Sequence, residues 1–332
     1  MGDVDFGVML PIILPSGSRP LLFYHALQYR YGGLDVGVVR EAALEAERLK
    51  YHSVWVSDHL SREACRERLE CWTTMTWLAT LTQRIWLGSM VICNLYRHPG
   101  LMAKMASTLD LVSGGRLELG IGACWSEQEC LDRGMDWPSP EVRLQMLGEG
   151  VRIIKSLWTQ ERTDFQGRHY TLKGVYSEPK PLQKPHPPVM IGGGGEGFTL
   201  RLVAKYADSS NFGGSLADME RRMDALRRHC EDVGRDFDEI TKSTNLGVVV
   251  YPTREEYIED MRGRWEANRA PEPFEEWLVK AEEVYIAGTP GECVEQLREY
   301  MDRGISLFVI RFGDAPSLYG QRLFAEKVMP RL

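Results

Sequence analysis

The sequence predicts a TIM (β/α)8 barrel with insertions, in the α/β class. Three observations carry the prediction. About eight short apolar runs alternate with stretches of 3.6-residue periodicity, at a mean spacing of roughly 40 residues. Strands alternating with helices pair in parallel through right-handed crossovers, and eight such units close into a barrel. Several of the 32 glycines directly follow the apolar runs, where a barrel carries its functional loops. No G-x-G-x-x-G follows the first run, which disfavours the rival open doubly wound sheet. No low-complexity linker interrupts the chain. Residues 1–332 therefore read as one domain, with insertions near 15–35, 163–177 and 255–287.

The elements follow in order. Asp5–Pro11 (DFGVMLP) reads as a strand and is followed by a polar loop to about Asp35. Val38–Lys50 has helical spacing and good helix formers, and Ser53–Ser57 (SVWVS) is a β-branched strand. Cys71–Thr82 reads as a helix and Ile85–Cys93 (IWLGSMVIC) as one strand. Pro99–Val112 is a helix with proline at its first turn, stopped by Ser113-Gly114-Gly115. Leu117–Ile121 is a strand and Pro140–Trp158 a long amphipathic helix. Thr163–Tyr176 is a hairpin around Gln166-Gly167. Pro188–Ile191 is a strand ending in four glycines. Phe198–Ala207 (helix), Ser209–Phe212 (strand), Leu216–Val233 (helix) and Leu246–Tyr251 (strand) come next. Glu255–Glu283 is charged and helical, broken by Pro271 and Pro273. A helix over Pro290–Arg303, a strand over Leu307–Phe312 and a terminal helix complete the pattern.

Composition narrows the function. Hydrophobic residues at 43% and charged residues at 26% are the balance of a globular protein. A net charge of −7 with scattered Lys and Arg gives no nucleic-acid footprint. The apolar runs are too short to span a bilayer, and no secretory signal is evident. The seven cysteines include no C-x-x-C, so neither a disulfide framework nor a zinc site is expected, and a reducing cytoplasm is the default. No pair of ligand-type residues has metal spacing, and no serine stands in G-x-S-x-G.

A barrel's chemistry lies at the C-terminal ends of its strands. There the sequence offers Asp58 and His59, Asn94 with Arg97 and His98, Ala123, Cys124 and Trp125, then Gly192, Gly193, Gly194 and Gly195, then Asn211 and Arg311. Four consecutive glycines before a helix offer backbone N–H groups to a phosphate. A tight strand-to-helix turn is the plain alternative. His59 is either a proton donor facing the barrel mouth or a histidine satisfied by packing. His98 reads as a helix-start residue, and His169 and His186 as surface residues. Cys124 lacks an adjacent base and reads as a small residue touching a ligand.

Three segments, VWVSDHL (Val54–Leu60), Leu87–Trp125 and Pro188–Asp208, occur in the order found in the luciferase-like monooxygenase superfamily, which this chain resembles over nearly its whole length. The pattern is most similar to the branch that uses coenzyme F420, an 8-hydroxy-5-deazaflavin. The resemblance implies that Asp58 and His59 sit beside the deazaflavin ring. It implies a non-prolyl cis peptide at Met90–Val91 backing the ring. It also implies that Ala123, Cys124 and Gly192–Gly195 hold the phosphate-bearing side chain, with Asn94 in the same cofactor-binding set. Two departures stand out. Cys124 replaces the second glycine of the usual Gly-Ala-Gly-Trp turn. Trp125 stands where the sugar-phosphate dehydrogenases of this branch use a glutamate, so glucose-6-phosphate oxidation is not implied.

The expected function is F420-dependent hydride transfer to or from a small organic substrate, with His59 as proton donor and Asp58 orienting it or contacting the ring. The alternatives are an FMN-dependent monooxygenase using reduced flavin and oxygen, or a non-catalytic flavin-binding protein. A homodimer is the expected assembly.

Overall fold

The computed structural model describes residues 4–14, 35–60 and 67–332. The expectations for the loop over 15–34 and for residues 61–66 fall outside the described residues.

Eight parallel strands of a TIM barrel run along the chain: β1 Asp5–Met9, β2 Ser53–Val56, β3 Trp86–Ser89, β4 Leu117–Gly122, β5 Val189–Gly192, β6 Ser209–Phe212, β7 Thr241–Val250 and β8 Leu307–Phe312. The helices are α1 Val36–Arg48, α2 Cys71–Leu81, α3 Pro99–Ser113, α4 Glu127–Leu131, α5 Pro140–Thr159, α6 Thr199–Tyr206, α7 Leu216–Val233, α8 Arg254–Asn268, α9 Phe274–Val284, α10 Pro290–Met301 and α11 Tyr319–Lys327. Among the described residues no helix is long and apolar enough to cross a membrane. The chain divides into two compact units, one of residues 1–55, 61–69 and 243–332, the other of 56–60 and 70–242.

In the first unit β1 pairs in parallel with β8 (Phe6↔Phe308) and with β2 (Val8↔Val54), and β7 pairs with β8 (Thr244↔Phe308). Alternation sends Phe6, Phe308 and Phe312 to the helix side. There Phe6 stacks on Phe308 at 5.5 Å and meets Phe324 of α11 edge-on at 5.4 Å. Gly7 leaves room for Trp55, whose Nε1 would lie 2.4 Å from a Cβ placed there. The insertion after β7 breaks at Pro271 and Pro273 into α8 and α9, as its sequence implies. It carries its own apolar cluster of Tyr257, Met261, Phe274 and Trp277.

In the second unit β4 pairs with β3 (Leu87↔Leu117) and β5 (Ile191↔Ile121), and β5 pairs with β6 (Gly192↔Asn211). His98 accepts from the Gly100 N–H at 3.1 Å and so caps α3, the helix-start role its position implies. Gly114, at φ 71°, ends that helix in the left-handed conformation. Buried Arg116 then bonds the carbonyls of Ala79, Thr82, Ile85 and Ser113, tying the ends of α2 and α3 to the start of β3.

Several elements depart from the sequence reading, among them four of note. The expected strand Ile85–Cys93 is interrupted at the cis Met90–Val91 bond and resumes only at Ile92–Cys93. β7 begins five residues before Leu246, because Lys242, Ser243 and Thr244 are polar yet buried and hide the strand from a hydrophobicity reading. The short strand Tyr285–Gly288, paired with β7, and the helix α4 carry no apolar periodicity that marks them.

Candidate active site

The site residues predicted after β2, β3, β4 and β5 all belong to the second unit. Asp58 directly follows β2 and is buried, 3% exposed. Its Oδ2 accepts from Arg97 Nη1 at 2.7 Å and from the Cys93 N–H at 3.0 Å, and its Oδ1 accepts from Arg97 Nη2 at 3.0 Å. The planar guanidinium fork matches the carboxylate in a bidentate pair. Arg97 also reaches Glu70, which caps α2 by accepting from the Trp72 and Thr73 N–H groups at 3.1 and 2.6 Å. Burial pushes the Glu70 carboxyl up, but the Thr73 and Trp72 N–H groups and Arg97 outweigh it and hold the carboxyl below its ordinary value.

His59 turns the other way. Its Nδ1 lies 3.0 Å from Glu129 Oε2, on α4. The same oxygen accepts from Tyr96 OH at 2.9 Å and from the Leu60 N–H at 3.3 Å. The Glu129 side chain is fully buried, while that of His59 is 23% exposed. Burial raises the Glu129 carboxyl, and the hydrogen bonds from His59, Tyr96 and Leu60 more than reverse this, so it stays ionised. Burial, with the Glu129 charge behind it, pushes the Tyr96 hydroxyl up and keeps it a donor. A carboxylate on Nδ1 fixes the proton there in the neutral ring and leaves Nε2 as the basic nitrogen. The Trp125 ring, 66% exposed, stands edge-on to His59 at 5.1 Å. Sequence reasoning missed Glu129. It lies in an unrecognised short helix, and no spacing rule links positions 59 and 129. The partner that orients His59 is Glu129, and both Asp58 oxygens are engaged by Arg97 and Cys93.

The cis bond expected from the resemblance is present at Met90–Val91. Around it the strands carry glycine for steric reasons. A Cβ on Gly120 would lie 1.9 Å from the Ser89 carbonyl oxygen, and Cβ atoms on Gly122 and Gly192 would each come within 2.9 Å of a Val91 methyl. The four-glycine loop also has local causes. Gly193 sits at φ 129°, a region that favours glycine. A Cβ on Gly194 would meet the Arg222 guanidinium at 2.6 Å, and one on Gly195 the Thr199 hydroxyl at 2.8 Å. Packing against Val91 accounts for Gly192 and backbone conformation for Gly193, whereas Gly194 and Gly195 face side-chain ends that can move aside. A ligand cue remains beside the loop: Arg222 Nε is buried with no hydrogen-bond partner.

Cys124 and Cys93 correct the sequence reading, which expected no disulfide. The two form one, with Cα atoms 4.9 Å apart. The pairing of Cys93 with Gly122 brings the end of the interrupted third strand beside the turn after β4, and 31 residues of separation hid this. Cys124 sits at φ 66°, a region that favours glycine, while Arg143 donates to its carbonyl at 2.5 Å. Ala123 is partly exposed in the same turn. Asn94 is buried against α5, with Nδ2 3.4 Å from Tyr170 OH and Oδ1 2.6 Å from where a Cβ on Gly150 would lie.

A sequence profile of the luciferase-like monooxygenases matches residues 21–307. The chain belongs to the luciferase-like monooxygenase family. Among relatives of this luciferase-like protein is an F420-dependent glucose-6-phosphate dehydrogenase of Nakamurella multipartita, 30% identical over 94% of this chain and 97% of that one. Another of the same description, from Microbacterium testaceum, is 28% identical over 94% and 98%. Among solved structures, an F420-dependent secondary alcohol dehydrogenase with an F420–acetone adduct superposes with a TM-score of 0.78 at 19% identity, covering 99% of both chains. A long-chain alkane monooxygenase gives 0.82 at 15% identity, over 100% of this chain and 91% of that one. At such identities these two structures speak for the barrel alone.

Proposed function

We propose that this luciferase-like protein is an F420-dependent oxidoreductase that transfers a hydride between the deazaflavin and a hydroxyl- or carbonyl-bearing organic substrate. The observation that carries the reading is the Tyr96–Glu129–His59 chain at the end of β2, a fixed imidazole with a basic Nε2. The relatives described as F420-dependent dehydrogenases over almost their full length support the cofactor.

The residues fit such a group. The partly exposed Met90–Val91 segment, flanked by side-chain-free Gly122 and Gly192, gives an apolar wall for a planar ring. The unpartnered Arg222 Nε against Gly194 gives the glycine loop a cation for a phosphate-bearing side chain. When bound, F420 supplies a carbon centre that exchanges hydride and does not activate oxygen as flavins do.

The chain's own residues handle the proton. In the oxidation direction His59 Nε2 accepts the substrate hydroxyl proton while the C–H hydride leaves. In reduction the imidazolium returns it. Glu129 balances the charge that forms on the ring, and Asp58 with Arg97 holds the strand ends that frame it. Glucose 6-phosphate, named in the relatives' description, is the first substrate to test. Glu129 supplies beside His59 a carboxylate that Trp125 does not. A homodimer in the cytoplasm completes the proposal, and light scattering reads the assembly.

The test is turnover of F420 with a panel of sugar phosphates and secondary alcohols. His59→Asn is expected to lower kcat by about 100-fold or more with F420 affinity within a few-fold of wild type. Unchanged turnover in that variant would overturn the assigned role.

A further inference from the structure

We propose that Cys93 and Cys124 are a reversible thiol–disulfide modification site, through which a dithiol partner sets the shape of the turn after β4. The two sulfurs join the ends of two neighbouring parallel strands at the candidate site. Cys93 donates its N–H to Asp58, inside the Asp58–Arg97 clamp. Cys124 directly precedes Trp125, the ring that stands against His59.

The turn depends on its cross-link. Cys124 holds a left-handed backbone that L side chains other than Asn and Asp rarely adopt. Two restraints oppose relaxation there: the disulfide, and the Arg143 guanidinium on the Cys124 carbonyl. Reduction removes the first. A reduced Cys124, held only by Arg143, can then leave the left-handed region and carry Trp125 away from His59.

Access and chemistry favour this pair over the other described cysteines. Cys124 is partly exposed while Cys93 is buried, which makes Cys124 the sulfur open to attack. Cys71, Cys130, Cys230 and Cys293 are buried free thiols, and burial pushes Cys293 up to about 12 and raises the others. They remain protonated and poorly nucleophilic.

The exchange balances. A thiolate of the dithiol attacks Cys124 Sγ, the S–S bond breaks, and Cys93 leaves as a thiolate that takes a proton. The second thiol of the partner then attacks the mixed disulfide, releasing Cys124 as a thiolate that takes the other proton. Two electrons pass to the protein, and the dithiol is oxidised to its own disulfide.

The test uses the full-length protein and dithiothreitol, with amide hydrogen exchange over residues 122–126 and mass-mapped alkylation of Cys93 and Cys124. Reduction is expected to expose both thiols to alkylation and to speed exchange in the turn at least tenfold, and oxidised glutathione is expected to reverse both. C93S/C124S should exchange fast whether or not dithiothreitol is present. C93S/C124G should exchange slowly in both conditions, because glycine accepts the left-handed backbone. F420 should bind the reduced wild type at least tenfold more weakly than the oxidised form, an arm that rests on the cofactor reading above. Equal exchange rates before and after reduction, or thiols that stay free in oxidised glutathione, would overturn the proposal. Redox-sensitive exchange in a protein that binds F420 in neither state would retain the thiol site and remove the cofactor reading instead.

Discussion

Glu129 and His59 lie 70 positions apart in sequence and 3.0 Å apart in the fold. That contact fixes the tautomer of the imidazole and places a carboxylate beside it. Glu129→Gln keeps the shape and removes the charge. It is expected to lower kcat by about 10- to 100-fold with F420 affinity within a few-fold of wild type. A purely structural role would lower kcat and cofactor affinity together, so the split between the two is the deciding readout. Asp58 and His59 stood out because they follow an apolar run, whereas the cis Met90–Val91 bond was implied by the family resemblance alone. Glu129 did not stand out, because its meaning comes from a contact across the turn after β4. The glycines were visible but ambiguous. Gly120, Gly122 and Gly192 are required by the Ser89 carbonyl and Val91, atoms that only the folded chain brings near them.

Elements are held by a few buried polar groups that hydrophobic patterning does not register. Arg116 is 8% exposed and bonds four carbonyls and the Thr82 hydroxyl. Arg116→Met would leave those acceptors unpaired at the junction of α2, α3 and β3. The expected loss is about 3 kcal/mol, measured as a fall in the urea midpoint at unchanged slope. Glu45 on α1 shows the acid side. The Arg48 hydrogen bond, aided by Arg322 of α11 at 2.5 Å and opposed by burial, holds its carboxyl at about 2 against an ordinary 4.5. The folded state thus binds fewer protons there than the unfolded chain. The Glu45 contribution is full above about 4.5 and is lost as pH falls toward about 2. Glu45→Gln should therefore lower Tm at neutral pH and flatten its decline between pH 4.5 and 2. An unchanged slope would deny the clamp between α1 and α11. The same physics explains which elements the sequence hid. The polar start of β7 is buried, and Tyr285–Gly288 is too short to show a period.

At the scale of the molecule, the barrel was readable because strand–helix alternation needs only the spacing of apolar residues, a local property. The disulfide was not readable, because it depends on which strand ends become neighbours. The family profile over residues 21–307 agrees with the barrel. Coverage above 90% of relatives described as F420-dependent dehydrogenases agrees with the cofactor reading. The central claim is the choice of F420 over FMN. It is tested most directly by titrating the purified, oxidised protein with each and following fluorescence. Saturable F420 binding, with FMN at least tenfold weaker, is the predicted result. Tight FMN binding with weak F420 binding would contradict it and assign the protein to the oxygen-using branch.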